Sequence, residues 1–422
     1  MQSSLGFHTI ALSLSLPEYD TWQLIIDFGK YNEKTKTMKI YRKNQDGTYI
    51  TYHPGKSQIF SLPTDIVIYY SNENYNGIEW HIRFSDYRYG FSIYIVEAII
   101  NPKFLARIHD YLTAATYSDM NIAITNFNAE TQKISPLLKS FADYTIKRID
   151  YCVNIHLDEI IPGCDPMLIM NLIKRGNIPP CYKEWTQYND KAHRKISLPS
   201  SFYLISQSVN INCYSKYAQL QERSRENVKK GYSPIPQSVL DDARNIIRFE
   251  VQCKYHKTYA LSDKAEKSGH NGCNKYKSLL SPINCIQIVS NYYKRVIGKG
   301  DWFTLQEAIC IIKSHHFNMQ HEKRLVDALQ FVNQCRSIAK AKALCEGKDL
   351  DSLKQTLNEL SGLNINPVTI PKDWNIKHIP NLLSVYFIKH FESYSSSDTL
   401  GIDETVPFGY WEYVKKFNCP PI

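Results

Sequence analysis

The chain has 422 residues, 43% of them hydrophobic, and 50 basic against 41 acidic side chains leave it with a formal charge of +9; this length suggests two or three domains with a sizeable core. No apolar run of roughly 18 residues and no basic n-region followed by an apolar stretch is present, which argues against a membrane span or secretory signal and for a soluble, cytoplasmic protein. The basic balance suits a polyanionic partner, and 30 tyrosines offer stacking surface for unpaired bases, although β structure alone also favours tyrosine.

From His8 to Ile99 the pattern is strand-like: HTIALSLSL, TWQLIIDF, TMKIYRK, DIVIYYS, GIEWHIRF and GFSIYIVEAI, separated by turn residues. Short strands joined by tight turns suggest an antiparallel meander. Asn101-Pro102 then predicts a helix through about Leu112, and a second helix is expected over Ser135 to Phe141. A strand at KRIDYCVNIH follows, then a helix near Pro166 to Ile173 and a polar loop from Gly176 to Pro199. The segments VNINCYSK and IIRFEVQCK read as two more strands, with AQLQERSRENVKK between them as an exposed helix or arm. LSDKAEKSGHNG looks like a mobile connection. From Tyr276 onward helical spacing dominates, with Thr304 as a cap, and the two helices across Thr304 to Val332 leave a helix-turn-helix open. The fold class expected is therefore α+β, a mainly antiparallel sheet with helices packed on one face, followed by a mainly helical C-terminal domain. The boundary falls near residue 265, giving domains of 1–265 and 266–422. Eleven cysteines stand singly with no CxxC pair, the pattern of buried free thiols (Cys213, Cys253, Cys310) rather than of a zinc centre.

Three of the strands carry the chemistry. A period of two sets Ile149, Tyr151, Val153 and Ile155 against Arg148, Asp150, Asn154 and His156. It likewise sets Val209, Ile211 and Cys213 against Asn210, Asn212, Tyr214 and Lys216, and Ile247, Phe249, Val251 and Cys253 against Arg248, Glu250, Gln252 and Lys254. If the three share a sheet, its non-core face collects a tyrosine, two carboxylates, two arginines and two lysines, and Tyr214 points away from the core. A phenol is a poor nucleophile near neutral pH unless cations or a metal-bound base ease its ionisation. Attack on a phosphodiester also needs charge neutralised on the non-bridging oxygens, which Arg, Lys or a divalent cation on hard oxygen ligands supplies. Asp150 and Glu250 could hold such a cation. The same residues also suit plain cross-strand ion pairs. Arg223, Arg225, Lys229 and Lys230, directly after Tyr214, add a basic arm that reads as a solvated face or a DNA contact. Tyr203 and Tyr217 are competing tyrosines nearby.

RIDYCVNI, NCYSKYAQLQER and IIRFEVQCK, in this order, resemble the signature segments of the rolling-circle replication initiators, the family that includes the filamentous-phage gene II/X nickases and the Rep_trans initiators of Gram-positive plasmids and integrative elements. An R-[IL]-D strand falls on Arg148-Ile149-Asp150, a Y-x-K element on Tyr214-Ser215-Lys216 and an R-[FV]-E strand on Arg248-Phe249-Glu250. The N-terminal LSLP, YNGIEWHIRF and VEAIINPKFL resemble the phage branch. The resemblance implies a site-specific nickase and strand transferase in which Tyr214 becomes joined to a 5′ phosphate and leaves a 3′ hydroxyl. It implies Asp150 and Glu250 as Mg²⁺ or Mn²⁺ ligands, and Lys216, Arg148 and Arg248 as phosphate partners. It also implies single-stranded or supercoiled origin DNA as substrate, with a host helicase, a polymerase or a second copy of the chain (a homodimer) as further partners. Two positions depart from the family. Asn154 stands where the plasmid branch has a second acid, and Gln219 where many members have an acid five residues past the tyrosine; Glu222 is the candidate substitute ligand. No His-hydrophobic-His pair occurs, so the standard HUH relaxase pattern is absent. A non-catalytic DNA-binding regulator of the same fold and a conjugative relaxase of the superfamily remain the alternatives.

Overall fold

The computed structural model describes residues 4–44, 46–53, 65–70, 75–88, 91–108, 110–189, 194–196, 198–229, 233–267 and 275–387. The chain divides into two compact units, one made of Leu5–Cys152 and Gln252–Cys285, the other of Met1–Ser4, Val153–Val251 and Ile286–Ile422. The architecture is α+β, with a large antiparallel sheet and a helical C-terminal region, as the sequence predicts.

The first unit is built on β1 (Ser4–Pro17), β2 (Met38–Lys43), β3 (Tyr49–Thr51), β4 (Asp65–Tyr70), β5 (Ile78–Arg88), β6 (Phe91–Ile100) and the first part of β7 (Thr145–His156). They lie in the order β3-β2-β4-β5-β6-β1-β7. Pairing of β1 with β6 sets Ile10 opposite Ile100 and Leu12 opposite Ala98. Alternation places these residues on a buried face against helices α1 (Glu18–Thr35) and, after the short α2 (Pro102–Leu105), α3 (Tyr117–Ile134). An aromatic chain ties the layers together: the Phe28 ring centroid lies 5.7 Å from that of Trp80, and Trp80 lies 5.9 Å from Phe127.

The expected strand TWQLIIDF is the middle of α1. Its buried residues, Thr21, Leu24, Ile25, Phe28 and Gly29, recur at helical spacing, and Gln23 donates to Asp27 one turn on at 2.8 Å. Helix α3 is signalled by Met120, Ala123, Phe127, Thr131 and Ile134 at helical spacing and by a capping box, in which Thr116 accepts from the Asp119 N–H while Asp119 accepts from the Thr116 N–H. The helix expected over Ser135 to Phe141 is absent because α3 ends there. Ser135 is extended, at φ −160° and ψ 141°, as a residue preceding proline prefers. The helix begun by Pro102 stops at Leu105 rather than Leu112, and Arg107 turns the chain with φ of 62°.

Gly6 shows how tightly β1 is held. The Phe7 N–H donates to the Ala115 carbonyl at 2.9 Å, and a Cβ on Gly6 would overlap that same oxygen. Gly6→Ala is expected to cost at least about 1–3 kcal/mol, read as a lower urea midpoint.

The second unit comprises the end of β7, α4 (Pro166–Lys174), the short β8 (Lys183–Glu184), β9 (Gln187–Asn189) and β10 (Arg194–Ile196), then β11 (Ser201–Ile205), β12 (Val209–Ser215), α5 (Lys216–Lys229), α6 (Gln237–Asp242) and β13 (Ile246–Lys254) to Val251. Its strands run in the order β7-β13-β12-β11-β8, so β13, last in sequence, lies between β7 and β12. Helix α7 (Tyr255–Lys267) covers the start of the expected mobile connection and, with α8 (Lys275–Leu279), belongs to the first unit. The second unit continues with α9 (Pro282–Val296) from Ile286, then β14 (Trp302–Phe303), α10 (Leu305–Ser314), α11 (Met319–Cys335), α12 (Ile338–Ala343), α13 (Gly347–Gly362) and β15 (His378–Ile379), which pairs with β14. Thr304 caps α10 by accepting from the Glu307 N–H. Helices α10 and α11 touch across the four-residue link 315–318, where His316 takes φ of 52°.

Cysteines 152, 164, 213, 253 and 285 are buried free thiols, whereas Cys310 is exposed on α10, contrary to the sequence expectation, because it lies on the outer side of that helix. Burial pushes the Cys213 and Cys253 thiols up to about 12. At pH 8 both stay protonated in the fold. Iodoacetamide followed by peptide mass spectrometry is therefore expected to modify Cys181 and Cys310 in the native protein, and Cys213 and Cys253 only after denaturation.

Candidate active site

The R-x-D strand delivers its residues to the middle of β7. Asp150 is fully buried and held by a bidentate contact, accepting from Arg148 Nε at 2.7 Å and from Nη2 at 2.5 Å. The Arg148 side chain is 39% exposed, so a fork that grips the carboxylate also reaches solvent. Earlier on the same strand, Lys147 places its ammonium 4.2 Å from the centre of the Tyr255 ring. Lys254 is held below the usual lysine range by burial and then by Arg148.

The tyrosine strand and the R-x-E strand meet in the second unit. Tyr214 Oη donates to Glu250 Oε2 at 3.4 Å. β12 is positioned from both sides of its strand: Ser201 of β11 lies opposite Tyr214 in register, and Met170 of α4 packs its sulfur 3.9 Å from Cys213. Immediately after Tyr214, Ser215 accepts from the Ala218 N–H at 3.4 Å and the strand turns directly into α5. Lys216 opens that helix, buried, donating to Gln219 at 3.1 Å.

The expected open face is not open. Tyr214 is only 7% exposed, and Asp150, Asn154, Arg248, Glu250 and Lys216 are all buried. Alternation correctly separates these residues from Val209, Ile211 and Cys213, but the polar set covers itself through mutual hydrogen bonds instead of facing water. Arg248 Nε donates to Asn154 Oδ1 at 2.6 Å, and Asn154 Nδ2 donates to Ser4 Oγ at 3.3 Å. Both positions that depart from the family pattern are thus occupied by amides that accept from a cation: Asn154 from Arg248, Gln219 from Lys216.

Among the described residues, His8, Asp150 and Glu250 each offer one ligand atom, and these atoms lie within 4.8 Å of one another. Two hard carboxylate oxygens and one imidazole nitrogen in that space suit Mn²⁺ or Mg²⁺ better than a soft metal. Sequence reasoning missed His8. Its signal is a single histidine, the one ionisable side chain in the first strand, which a search for histidine pairs passes over. Glu222 lies elsewhere, exposed on α5 and 3.2 Å from Arg225. Arg223 is half-buried on the same helix, Arg225 and Lys229 are exposed, and Lys230 lies outside the described residues. Of the competing tyrosines, Tyr203 accepts from Asn210 at 2.9 Å, and Tyr217 accepts from Gln221 at 2.7 Å beneath the Arg244 guanidinium.

No described helix is long and apolar enough to cross a membrane. No protein-family model matches the sequence, and no curated protein matches it. Among solved structures, the chain aligns with the rolling circle replication initiator protein from Geobacillus stearothermophilus at 9% identity, over 63% of this chain and 80% of that one, with a TM-score of 0.26.

Proposed function

We propose that the protein is a site-specific DNA nickase and strand transferase that initiates rolling-circle replication, with Tyr214 as its nucleophile. The observation that carries this reading is the hydrogen bond between the Tyr214 phenol and Glu250, a candidate metal ligand; Tyr31, Tyr49 and Tyr70 also donate to carboxylates, but to Glu130 and Asp65, which are not among those ligands. In the proposed step the Tyr214 Oη–phosphorus bond forms as the bond from phosphorus to the 3′ oxygen breaks. The phenolic proton passes to the Glu250 carboxylate and the departing 3′ oxygen takes a proton from solvent. The products are a 5′-phosphotyrosine link and a free 3′ hydroxyl, and the reverse attack rejoins the strand.

His8, Asp150 and Glu250 are the residues that would hold Mn²⁺ or Mg²⁺. Such an ion, when bound, neutralises charge on the scissile phosphate. Arg148 orients Asp150 and offers its exposed edge to a neighbouring phosphate. Lys216 and Arg248 act from within, fixing Gln219 and Asn154 and keeping the buried carboxylates in a cationic field. Arg225 and Lys229, on the outer side of α5, are proposed contacts to the flanking DNA backbone, with Arg223 beside them.

Incubation with a library of short single-stranded oligonucleotides and Mn²⁺, followed by peptide mapping of the adduct, tests this directly. Attachment at Tyr214 is the expected result, and attachment at Tyr217 or Tyr203 would move the nucleophile. A second reading, a DNA-binding regulator without catalysis, is favoured by Asn154 and Gln219, each an amide already satisfied by a cation. It requires that supercoiled DNA stay intact with Mn²⁺ while binding persists.

A further inference from the structure

Two tyrosines on one turn of α7 stand out from the aromatic surface. Tyr255 is 40% and Tyr259 is 61% exposed. Their ring centroids are 6.2 Å apart, so the pair forms one contiguous aromatic patch. The helix is pinned to the sheet beneath it by Thr258, whose hydroxyl donates to the Ile146 carbonyl at 3.0 Å. The rings therefore sit on a fixed support at the start of β7.

The surroundings are cationic. Lys147 covers one face of the Tyr255 ring at 4.2 Å, His256 lies against its side at 5.8 Å, and in sequence Lys254 precedes the pair and Lys257 lies between its two members. Lys254 feels the repulsion of Arg148, and Lys257 acts on the Cys253 thiol, as Asp150 does, which places these cations around the same ends of β7 and β13. The exposed aromatics on the far strands have a different setting. Tyr69 faces Glu79 across β4 and β5, and its hydroxyl is pushed up to about 12 by burial and then by Glu79, with Asp65 adding to it. Lys39 faces Tyr69 from β2, so acidic and basic groups are mixed there, whereas Lys147, Lys254 and Lys257 lie about the α7 pair.

We infer that Tyr255 and Tyr259 form a stacking platform for unpaired bases of single-stranded DNA, with Lys147 and Lys254 holding the adjoining phosphates. Exposed aromatic rings interleaved with basic side chains are what sequence-tolerant single-strand binding requires, since every base offers a π-face. Lys147 is three residues from Asp150 along β7, about 10 Å of strand and on its opposite side by alternation, so the platform does not draw on the Asp150 side chain. This inference rests on the reading of the chain as a DNA-processing protein but not on its catalysis.

The test is binding of a fluorescein-labelled oligo(dT) strand and of a hairpin duplex of equal length, without divalent metal, to the full chain. Tyr259→Ser is expected to weaken oligo(dT) binding about tenfold, and Tyr255→Ala with Tyr259→Ala by about 100-fold, while Tyr→Phe at both sites retains it and duplex binding changes little. Lys147→Ala should lower the slope of log affinity against log salt by about 0.7. An abasic position scanned through the strand should weaken wild-type binding at one register and have no further effect on the double variant. Equal oligo(dT) affinity for wild type and Tyr259→Ser, whose exposed side chain the fold does not need, would overturn the inference. Loss of nicking has no bearing on this readout, so absence of nicking with weakened oligo(dT) binding removes the proposed catalysis and leaves the platform standing.

Discussion

Tyr214→Phe is expected to leave DNA binding intact and to abolish the covalent protein–DNA adduct, with strand cleavage falling by at least about a thousandfold. Only the hydroxyl is removed. The ring keeps its place on β12, and the lost contact is a single hydrogen bond to Glu250 at 3.4 Å. Such a bond contributes roughly 0.5–1.5 kcal/mol to stability, so the fold survives. The measurement is denaturing electrophoresis of labelled single-stranded DNA after incubation with Mn²⁺, beside a gel-shift assay with the same strand. Binding that disappears together with the adduct would mean that the substitution had disturbed the fold, and a normal adduct would place the nucleophile elsewhere.

Asp150→Asn is expected to uncouple the protein from metal. The wild-type carboxylate is fully buried, bidentate to Arg148, and among three ligand atoms lying within 4.8 Å of one another. A bound metal ion would add to the positive charge that Arg148 already supplies to Asp150. Mn²⁺ at about 100 times its Kd should then stabilise the wild-type fold by about 2.7 kcal/mol. The asparagine keeps the shape and removes one charge, which lowers Mn²⁺ affinity by more than about 100-fold, since even supporting residues around a metal site account for 10- to 100-fold. Thermal unfolding with and without Mn²⁺ reads this without any nicking assay. The wild-type midpoint should rise and that of the variant should stay where it was. Loss of the Arg148 pair costs the metal-free variant less than a fully buried pair would, because that arginine side chain is 39% exposed and can turn to water. A variant that responds to Mn²⁺ like wild type would remove Asp150 from the ligand set.

The parts of this arrangement that were legible in the sequence are those that depend on alternation. Arg148, Asp150, Tyr214, Arg248 and Glu250 stand out as polar residues on otherwise apolar strands, and β7, β12 and β13 form where that pattern occurs. Alternation says which residues share a side of a strand; it does not say what covers that side. Tyr214 and Lys216 are buried where solvent was expected, their polar ends hydrogen-bonded to Glu250 and Gln219. It also does not fix the neighbour of each strand. Placing β13 between β7 and β12 depends on contacts nearly 100 residues apart, such as Arg248 with Asn154. Helix α1 was misread because eight residues containing Trp22, Leu24, Ile26 and Phe28 satisfy a period of two. Leu24, Ile25, Phe28 and Gly29 meet the core at a period near 3.6, and packing chose the latter.

The two units are braided rather than strung in series, since the chain passes from one to the other after residues 4, 152, 251 and 285. During synthesis the first cannot be completed until α8 has emerged, and the second must wait for helices encoded beyond it. Neither can be inherited as a detachable cassette, and a large share of the fold's contacts closes long loops, a topology that slows folding and exposes unpaired strand edges meanwhile. Each unit is therefore complete only late in synthesis, when all of its separate lengths of chain are present.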